Sequence, residues 1–312
     1  MKLLGEYQNG NYSVKIYDDG TKIRENDFNF FEPEYPESMD MKITNACDMM
    51  CPFCHEASVP NGEYGDILNL PFLDTLLPYT ELAIGGGNPL SHPDLISFLH
   101  SLKKRKLIAN MTVNQAHFLK NIPLLLELAE QELIYGLGIS YISGTSADQT
   151  LKLVSEVARF PNAVFHVING VVTVDELEHL SSVNSKVLIL GYKEFRRGVD
   201  NYNACGEAIK RNQRELYYAL PLIVRDRWFD VVSFDNLAVK QLDVKRLVSP
   251  SAWKEQYMGD DGSFTMYVDA VNREYAVCSV AEERYPLLDD IKKMFQTVRG
   301  DAENALFKSV DK

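Results

Sequence analysis

Basic residues, cysteines and long apolar runs are all scarce in this chain. Its 32 Lys and Arg residues are outnumbered by 44 Asp and Glu residues, so the formal net charge is −12. Binding to nucleic-acid phosphates requires clustered positive charge, and the sequence carries no such patch. We therefore expect a small molecule or a peptide, rather than nucleic acid, as the partner of this protein.

Membrane and secretory segments are missing as well. No apolar run approaches the roughly 18 residues that a membrane-spanning helix needs. The chain begins with Met-Lys-Leu-Leu-Gly-Glu instead of the long apolar segment of a secretory signal. Five cysteines among 312 residues are too few for a disulfide scaffold and point to metal binding or reactive thiols. We expect a cytoplasmic protein without membrane association.

The first 37 residues predict a small β-meander. Asn9-Gly10 and Asp19-Gly20 each suit a two-residue type I′ turn, and the segment between them, Tyr12–Tyr17, alternates polar and apolar residues. An isolated hairpin is only marginally stable in water. We therefore expect this extension to pack against a larger body.

Six short apolar segments alternate with helical patterns from residue 38 to about residue 198. The predicted strands are residues 39–44, 82–84, 107–113, 134–140, 163–168 and 186–190. The predicted helices between them are residues 67–77, 93–105, 121–131, 147–159 and 174–182. Strands that are each followed by a helix favour parallel βαβ units. The sequence therefore predicts an α/β fold, with ligand-binding groups gathered at the carboxyl ends of the strands.

The regular alternation of strands and helices ends after residue 198. We expect a helix near residues 204–219, strands near 228–234 and 237–242, a hairpin of residues 264–268 and 274–280, and a closing helix near 287–299. The length fits one large α/β domain with additions as well as it fits two domains.

The most informative feature is a C-x3-C-x2-C triplet, Cys47, Cys51 and Cys54, directly after the first of the predicted core strands. Three thiolates on so short a loop can converge on one metal centre, and sulfur ligands select zinc or an iron–sulfur cluster. A closed zinc site needs a fourth ligand, and His55 is adjacent to Cys54, which makes joint ligation of one ion awkward. A cubane cluster with three protein ligands leaves one iron open for a small molecule. The spacing of the three cysteines is therefore compatible with either a zinc ion or an iron–sulfur cluster.

A second motif, residues 85–90 with the sequence Gly-Gly-Gly-Asn-Pro-Leu, ends the second of these strands. With the triplet, and with the aromatic Phe53 before its third cysteine, the chain resembles the radical S-adenosylmethionine (SAM) superfamily over residues 38 to about 198. The glycine segment is similar to the family's Gly-Gly-Glu-Pro segment, whose backbone meets the amino group of SAM, which marks Gly86 and Gly87. Asn88 replaces the usual glutamate, so it keeps the hydrogen-bonding reach but loses the charge.

The resemblance implies a cofactor pair and a mechanism. Cys47, Cys51 and Cys54 would hold a [4Fe–4S] cluster whose fourth iron chelates SAM. Reductive cleavage of SAM, with an electron from a donor such as flavodoxin or ferredoxin, would give a 5′-deoxyadenosyl radical. That radical would abstract hydrogen from a small-molecule or peptide substrate, in an oxidoreductase or transferase type of reaction. The protein's task is to orient the reactants and exclude competing reactions.

The resemblance also implies a fold and further SAM-binding positions. The expected fold is a partial (β/α)6 barrel over residues 38–198, with an N-terminal β-meander over 1–37 and an α+β cap over 199–312. Asn114 follows the third core strand and Ser140 ends the fourth, and both are marked for contacts with SAM. Lys193 follows the sixth strand and could contact the carboxylate of SAM or an anionic substrate. Each also has an ordinary alternative: a helix cap, a turn and a solvated lysine.

Two cysteines remain outside the triplet. Cys205 and Cys278 are too few for the auxiliary cluster that many peptide-modifying relatives carry in a C-terminal extension. We expect Cys278 to be buried within a strand. We expect Cys205 to lie at a helix start, where the helix dipole could acidify a catalytic thiol, although packing is the simpler role.

Two other functions stay open. Within the family, the chain could be an activase that installs a glycyl radical on a partner protein. Outside it, the triplet could serve a non-catalytic iron–sulfur or zinc-binding protein.

Overall fold

Two β-sheets organise the part of the chain that a computed structural model describes, residues 1–28, 30–181 and 185–310, with the side chains of 304–310 left aside. The smaller sheet is antiparallel and has the order β1-β2-β3. Its strands are β1 (Leu3–Asn9), β2 (Tyr12–Tyr17) and β3 (Lys22–Glu25). The turns between them contain Gly10 and Gly20, both with positive φ. The predicted N-terminal meander is therefore present.

The larger sheet has ten strands in the order β10-β9-β8-β7-β6-β5-β4-β11-β12-β13. Its strands are β4 (Ser38–Thr44), β5 (Glu81–Gly86), β6 (Ile108–Asn114), β7 (Gly136–Ser140), β8 (Ala163–Ile168), β9 (Lys186–Leu190), β10 (Val231–Phe234), β11 (Thr265–Asp269), β12 (Glu274–Ala276) and β13 (Tyr285–Pro286). All neighbours from β10 to β11 are parallel, and β12 and β13 are antiparallel. The predicted α/β fold, with a large and mostly parallel sheet, is confirmed.

Nine α-helices occur among the described residues. They are α1 (Leu95–Lys104), α2 (Gln115–Lys120), α3 (Ile122–Glu130), α4 (Ala147–Val157), α5 (Val174–Leu180), α6 (Arg197–Arg225), α7 (Asn236–Gln241), α8 (Pro250–Gln256) and α9 (Ile291–Val310). Four of the five predicted core helices are present, and the last residue of the prediction 174–182 lies outside the described residues. None of the helices described is long and apolar enough to cross a membrane.

Two predicted elements are wrong. Residues 67–77 contain only a 3₁₀ turn, Pro71–Thr75, because a proline disfavours a helical conformation in the residue before it. Residues 237–242 are not a strand and lie largely within α7. There the Asp235 side chain accepts the Ala238 N–H at 2.7 Å, which caps the helix. A short apolar run does not distinguish a strand from a buried helix.

The two faces of the parallel sheet differ in character. One face carries buried apolar side chains such as Met41, Ile84 and Phe165, which belong to a single core cluster with residues of the helices. The alternate positions carry polar residues such as Asp40, Thr112 and His166, which retain some exposure. Since successive side chains of a strand point to opposite faces, these polar residues share the second face.

The C-terminal region contributes strands to both sides of the large sheet. Strand β10 pairs with β9 at one side, and β11 pairs with β4 at the other, with Lys42 opposite Asp269. The antiparallel hairpin of β11 and β12 therefore continues the main sheet. The division into ranges 1–37, 38–198 and 199–312 stays a prediction.

Candidate functional site

The cysteine triplet lies on a closed loop that leaves the carboxyl end of β4. The Cys47 N–H donates to the Val59 carbonyl at 2.8 Å, and the Val59 N–H donates to the Asn45 carbonyl at 3.0 Å. The base of the loop is therefore held together by backbone hydrogen bonds. Cys47, Cys51 and Cys54 are all free and half-buried within it.

The three thiols affect one another electrostatically. Burial raises the pKa of Cys51, and the neighbouring Cys54 and Cys47 raise it further. Burial also raises the pKa of Cys47, whereas Arg197 lowers it.

Several buried polar atoms beside this loop have no hydrogen-bond partner among the described residues: Asn45 Oδ1, Ser58 Oγ and Arg197 Nε. A buried polar group without a partner is costly, and native proteins leave few of them. Three half-buried sulfur donors and three unsatisfied polar atoms around one loop fit a bound sulfur-ligated metal centre.

The glycine loop at the end of β5 is joined to the base of the cysteine loop. The Gly87 N–H donates to the Thr44 carbonyl at 2.7 Å, and the Asn88 N–H donates to the Ala46 carbonyl at 2.7 Å. A Cβ atom at Gly87 would lie 2.3 Å from the Ala46 carbonyl oxygen. Only glycine therefore permits this close approach of the two backbones.

Two neighbours of Gly87 differ in what surrounds them. Gly86 has φ +105°, and a Cβ atom there would lie 2.5 Å from the Thr44 carbonyl oxygen. Gly85 faces open space, with nothing within 4 Å of the position that a Cβ atom would take. The loop thus presents bare backbone to open space on one side and packs on the cysteine loop on the other.

Asn88 and Phe53, also predicted as cofactor contacts, lie on these two loops. Asn88 Oδ1 accepts the Leu90 N–H at 3.2 Å and caps the 3₁₀ turn Pro89–Ser91. Phe53 is half-buried in the cysteine loop. In this arrangement the Asn88 amide shapes the turn, which is a role that an uncharged side chain can perform.

Asn114 and Ser140 are brought together at the ends of neighbouring strands. They are register partners between β6 and β7, and Ser140 is the partner of His166 on β8. Asn114 Oδ1 also accepts the Ala116 N–H at 2.9 Å, so it caps α2. The predicted pair therefore lies at one edge of the sheet, and the helix-cap alternative holds for Asn114 at the same time.

Lys193 follows β9, and its side chain reaches toward the cysteine loop. Its ammonium group donates to Ser279 Oγ at 2.9 Å and lies 3.5 Å from His55 Nε2. Burial lowers the pKa of His55 well below its usual value, and the charge of Lys193 lowers it further. The neutral imidazole and the hydroxyl leave the lysine charge available to an anionic group.

No protein-family model and no curated protein matches the sequence. Among solved structures, the chain is similar to Streptococcus suis SuiB bound to S-adenosylmethionine, at 12% identity and a TM-score of 0.58, over 96% of this chain and 89% of SuiB. A second crystal structure of SuiB is 12% identical to this chain with a TM-score of 0.57, over 96% of this chain and 88% of SuiB. The structure of SuiB bound to precursor peptide SuiA is 13% identical with a TM-score of 0.52, over 86% of this chain and 66% of SuiB.

SuiB is a radical SAM enzyme. The chain has the fold of a radical SAM enzyme.

An ionic cluster beside the end of the cysteine loop was not predicted from the sequence. Lys42 on β4 lies 3.1 Å from Glu56 and 2.9 Å from Asp269, and all three side chains are at most 8% exposed. Glu56 also accepts the Tyr267 hydroxyl at 3.1 Å and lies 3.6 Å from Arg196. Since Glu56 follows Cys54 by two residues, the cluster fixes the end of the cysteine loop to the sheet.

Two further residues of the polar face were also missed. His166 lies over Gly138, because a Cβ atom there would be 2.3 Å from its imidazole, and burial lowers the pKa of His166 to about 4. Solvent reaches Asp40, but the protein that surrounds its carboxyl group raises the pKa of that group. The positive charge of Lys193 lowers the same pKa and so opposes this rise. A polar residue inside an otherwise apolar strand was the signal that could have identified both.

The remaining cysteines differ from expectation. Cys205 lies within α6 and is exposed, whereas a helix start was predicted for it. Cys278 is half-buried beyond the end of β12, whereas a place within the strand was predicted. Strand β12 is shorter than its apolar sequence suggested, because it has only a two-residue partner, β13, on its outer side.

Proposed function

We propose that the chain is a radical SAM enzyme that acts on a peptide or a small molecule. The observation that carries this proposal is the direct joining of the two loops, through the Gly87 and Asn88 N–H groups and the carbonyls of Thr44 and Ala46. In this arrangement the loop that carries the three cysteines lies beside a bare glycine backbone, which suits a cluster and a small ligand bound to it.

In the proposed enzyme, Cys47, Cys51 and Cys54 hold a [4Fe–4S] cluster. When bound, the cluster supplies the electron that cleaves SAM reductively and so yields a 5′-deoxyadenosyl radical. Gly86 and Gly87 offer backbone groups to the amino end of SAM.

Four other residues have supporting roles in the proposal. Phe53 and Asn88 shape the two loops around the cofactors. Asn114 and Ser140 approach SAM from the ends of β6 and β7, where ligand-binding groups of parallel sheets gather.

Lys193 holds a carboxylate in the proposed site. Its ammonium group contacts only a hydroxyl and a neutral imidazole, and the ion pairs found among the described residues do not include it. An ammonium group in a partly buried position gains most from an anionic ligand. The carboxylate of SAM and an acidic group of the substrate share this chemistry.

The proposed substrate side of the site is the polar face of β4 to β9, which we propose forms a partial (β/α)6 barrel over residues 38–198. The segments 1–37 and 199–312 would then be a β-extension and a cap. The binding of a precursor peptide by SuiB favours a peptide over a small molecule. A flavodoxin or ferredoxin would supply electrons, and the reaction would be of the oxidoreductase or transferase type.

The test is SAM cleavage by protein reconstituted with iron and sulfide under anaerobic conditions and reduced with dithionite. We expect 5′-deoxyadenosine and methionine in equal amounts, measured by chromatography. The Cys51→Ala variant should keep its far-UV circular dichroism but lose cluster iron and cleavage, whereas Cys205→Ala, at an exposed position, should keep both.

Two results would overturn the proposal. One is a full cluster without SAM cleavage, which fits a non-catalytic iron–sulfur protein. The other is stoichiometric zinc, without iron, in protein purified in the absence of oxygen, which fits a structural zinc site.

A further inference from the structure

Three different ligand types meet where α2 approaches the cysteine loop. The Cys47 sulfur, a carboxylate oxygen of Asp48 and an imidazole nitrogen of His117 all lie within 4.8 Å of one another. The Asp48 Oδ1 and His117 Nε2 atoms are 2.6 Å apart. We propose that these residues form a mononuclear site for a divalent transition metal, zinc or ferrous iron, which shares Cys47 with the cluster and therefore excludes it.

Cys47 and Asp48 are adjacent in sequence, but their ligand atoms already lie within 4.8 Å of each other and of the His117 nitrogen, so the backbone here permits joint ligation. The donor set and its spacing suit a zinc or ferrous ion. Zinc binds sulfur at about 2.3 Å and nitrogen or oxygen at about 2.0 to 2.2 Å, so tetrahedral ligand atoms stand roughly 3.4 to 3.6 Å apart. The observed atoms reach this spacing through small side-chain movements. Asp48 is exposed and His117 is buried. An ion could therefore enter from solvent on the side of Asp48 and meet a ligand whose position is restricted by burial.

The buried backbone position that carries the imidazole is held before any ion arrives. His117 is 4% exposed, and its carbonyl accepts the Asn121 side-chain amide at 2.8 Å. Its helix is capped by Asn114 at 2.9 Å. Binding therefore requires ordering only of the exposed Asp48 and the half-buried Cys47, and preorganised ligands lose less entropy.

Sharing of Cys47 makes the two metal centres alternatives. A zinc ion on Cys47, Asp48 and His117 leaves only Cys51 and Cys54 for the cluster. Bound zinc should therefore slow cluster assembly, and removal of His117 should relieve this effect while leaving all three cluster ligands in place.

The direct test is a Co²⁺ titration of the cluster-free, reduced full-length chain under anaerobic conditions. We expect one equivalent to bind with a thiolate-to-cobalt charge-transfer absorption. The double variant Cys51→Ser/Cys54→Ser should retain this band. His117→Gln and Asp48→Asn should each weaken binding at least tenfold, whereas Lys120→Gln, an exposed position on the same helix, should not.

Two outcomes would overturn the site. A band that disappears in the double cysteine variant but persists in His117→Gln would place the metal on the cysteine triplet. No cobalt binding at all would leave Asp48 and His117 as a hydrogen-bonded pair only. Asp48 is exposed, so its variant tests the site even if His117→Gln fails to fold, which circular dichroism would reveal.

A second measurement addresses competition and rests on the proposed cluster. One equivalent of Zn²⁺, added before iron and sulfide, should slow the appearance of cluster absorbance at least tenfold in the wild-type protein and much less in His117→Gln. Equal inhibition of the two proteins would contradict the shared-ligand inference. The cobalt titration does not need a cluster, so failure of the metal site and failure of the proposed function are distinguishable.

Discussion

Glu56 and Lys42 form a buried ion pair, Oε2 to Nζ at 3.1 Å, between the end of the cysteine loop and the first strand of the parallel region. Lys42 also pairs with Asp269 on the neighbouring strand, and Glu56 accepts the Tyr267 hydroxyl. A loop that must present three thiols in a fixed arrangement is thereby tied to two strands. The pair links the position of the loop to the stability of the sheet.

Removal of Glu56 should destabilise the protein. Glu56→Ala leaves Lys42 with one carboxylate partner and Tyr267 without an acceptor, and breaking a buried pair costs about 3 to 5 kcal/mol of unfolding free energy. Glu56→Gln should cost less, because its amide oxygen can still accept from Tyr267. Urea unfolding measures both, with Glu63→Ala, exposed on the same loop, as the control that should change little. An unchanged midpoint for Glu56→Ala would show that the pair does not anchor the loop.

The glycine loop offers a matched pair of substitutions. Gly87→Ala places a methyl group 2.3 Å from the Ala46 carbonyl oxygen, whereas Gly85→Ala places one in open space. Overpacking costs about 1 to 3 kcal/mol, so thermal unfolding should shift downward for Gly87→Ala and stay near wild type for Gly85→Ala. Gly87→Ala should also retain less iron after reconstitution, because the base of the cysteine loop must move. Equal behaviour of the two variants would contradict the close approach of the loops.

His166 should make stability depend on pH. Burial lowers its pKa from 6.5 to about 4, so between these values the unfolded chain binds the proton and the folded chain does not. The free energy of unfolding therefore falls as the pH falls from 6.5 to 4, by up to about 3 kcal/mol, and this contribution is constant above pH 6.5.

Urea unfolding of His166→Gln at pH 7 and pH 5 checks this expectation. The variant should lose less stability between the two pH values than the wild type does. The exposed His100 supplies the control, and His100→Gln should keep the wild-type difference. If His166→Gln also keeps the wild-type difference, the lowered pKa of this imidazole does not account for the pH dependence.

Glu37 should hold the N-terminal sheet to the larger sheet. Its carboxylate receives Arg24 through two hydrogen bonds, at 2.7 and 3.0 Å, and the Tyr12 hydroxyl at 2.7 Å. Because Glu37 is 1% exposed, Glu37→Ala leaves buried donors without an acceptor, at a cost of about 3 to 5 kcal/mol. Limited proteolysis should then cleave the N-terminal segment faster.

The control for Glu37 is Glu25→Gln. Glu25 pairs with Lys15 on the surface of the same sheet, and exposed ion pairs contribute little to stability. Its proteolysis rate should match the wild type. A rate for Glu37→Ala that matches as well would mean that the N-terminal sheet is held by its apolar contacts.

Much of the fold followed from local patterns. The six core strands were predicted within a few residues, because each is a short apolar run bounded by polar or turn residues and followed by a helical period. The strand predicted at residues 237–242 failed where the pattern was too short to decide between helix and strand. The position of β11 beside β4 could not be predicted, since strand pairing joins residues more than 220 positions apart.

In the candidate site, too, some residues could be predicted from the sequence and others could not. Cys47, Cys51, Cys54, Gly86 and Gly87 could be predicted as site residues because their spacing along the chain indicates which chemistry they suit, and their roles stay a prediction. Lys42, Glu56 and Asp269 were missed because each is an ordinary charged residue until folding brings it to the others. His117 escaped notice for the same reason, since Asp48 lies 69 positions before it.

The chemistry of short segments was thus encoded locally: the low cysteine count, the triplet, the glycine loop and the alternation of strands with helices. Which charged residues are buried together, which strand lies at each side of β4 to β9, and which groups surround Cys47 were decided by the tertiary structure. The physical reason is that a local motif depends on backbone geometry over a few residues. A buried ion pair or a shared ligand depends on the whole path that the chain takes between its members.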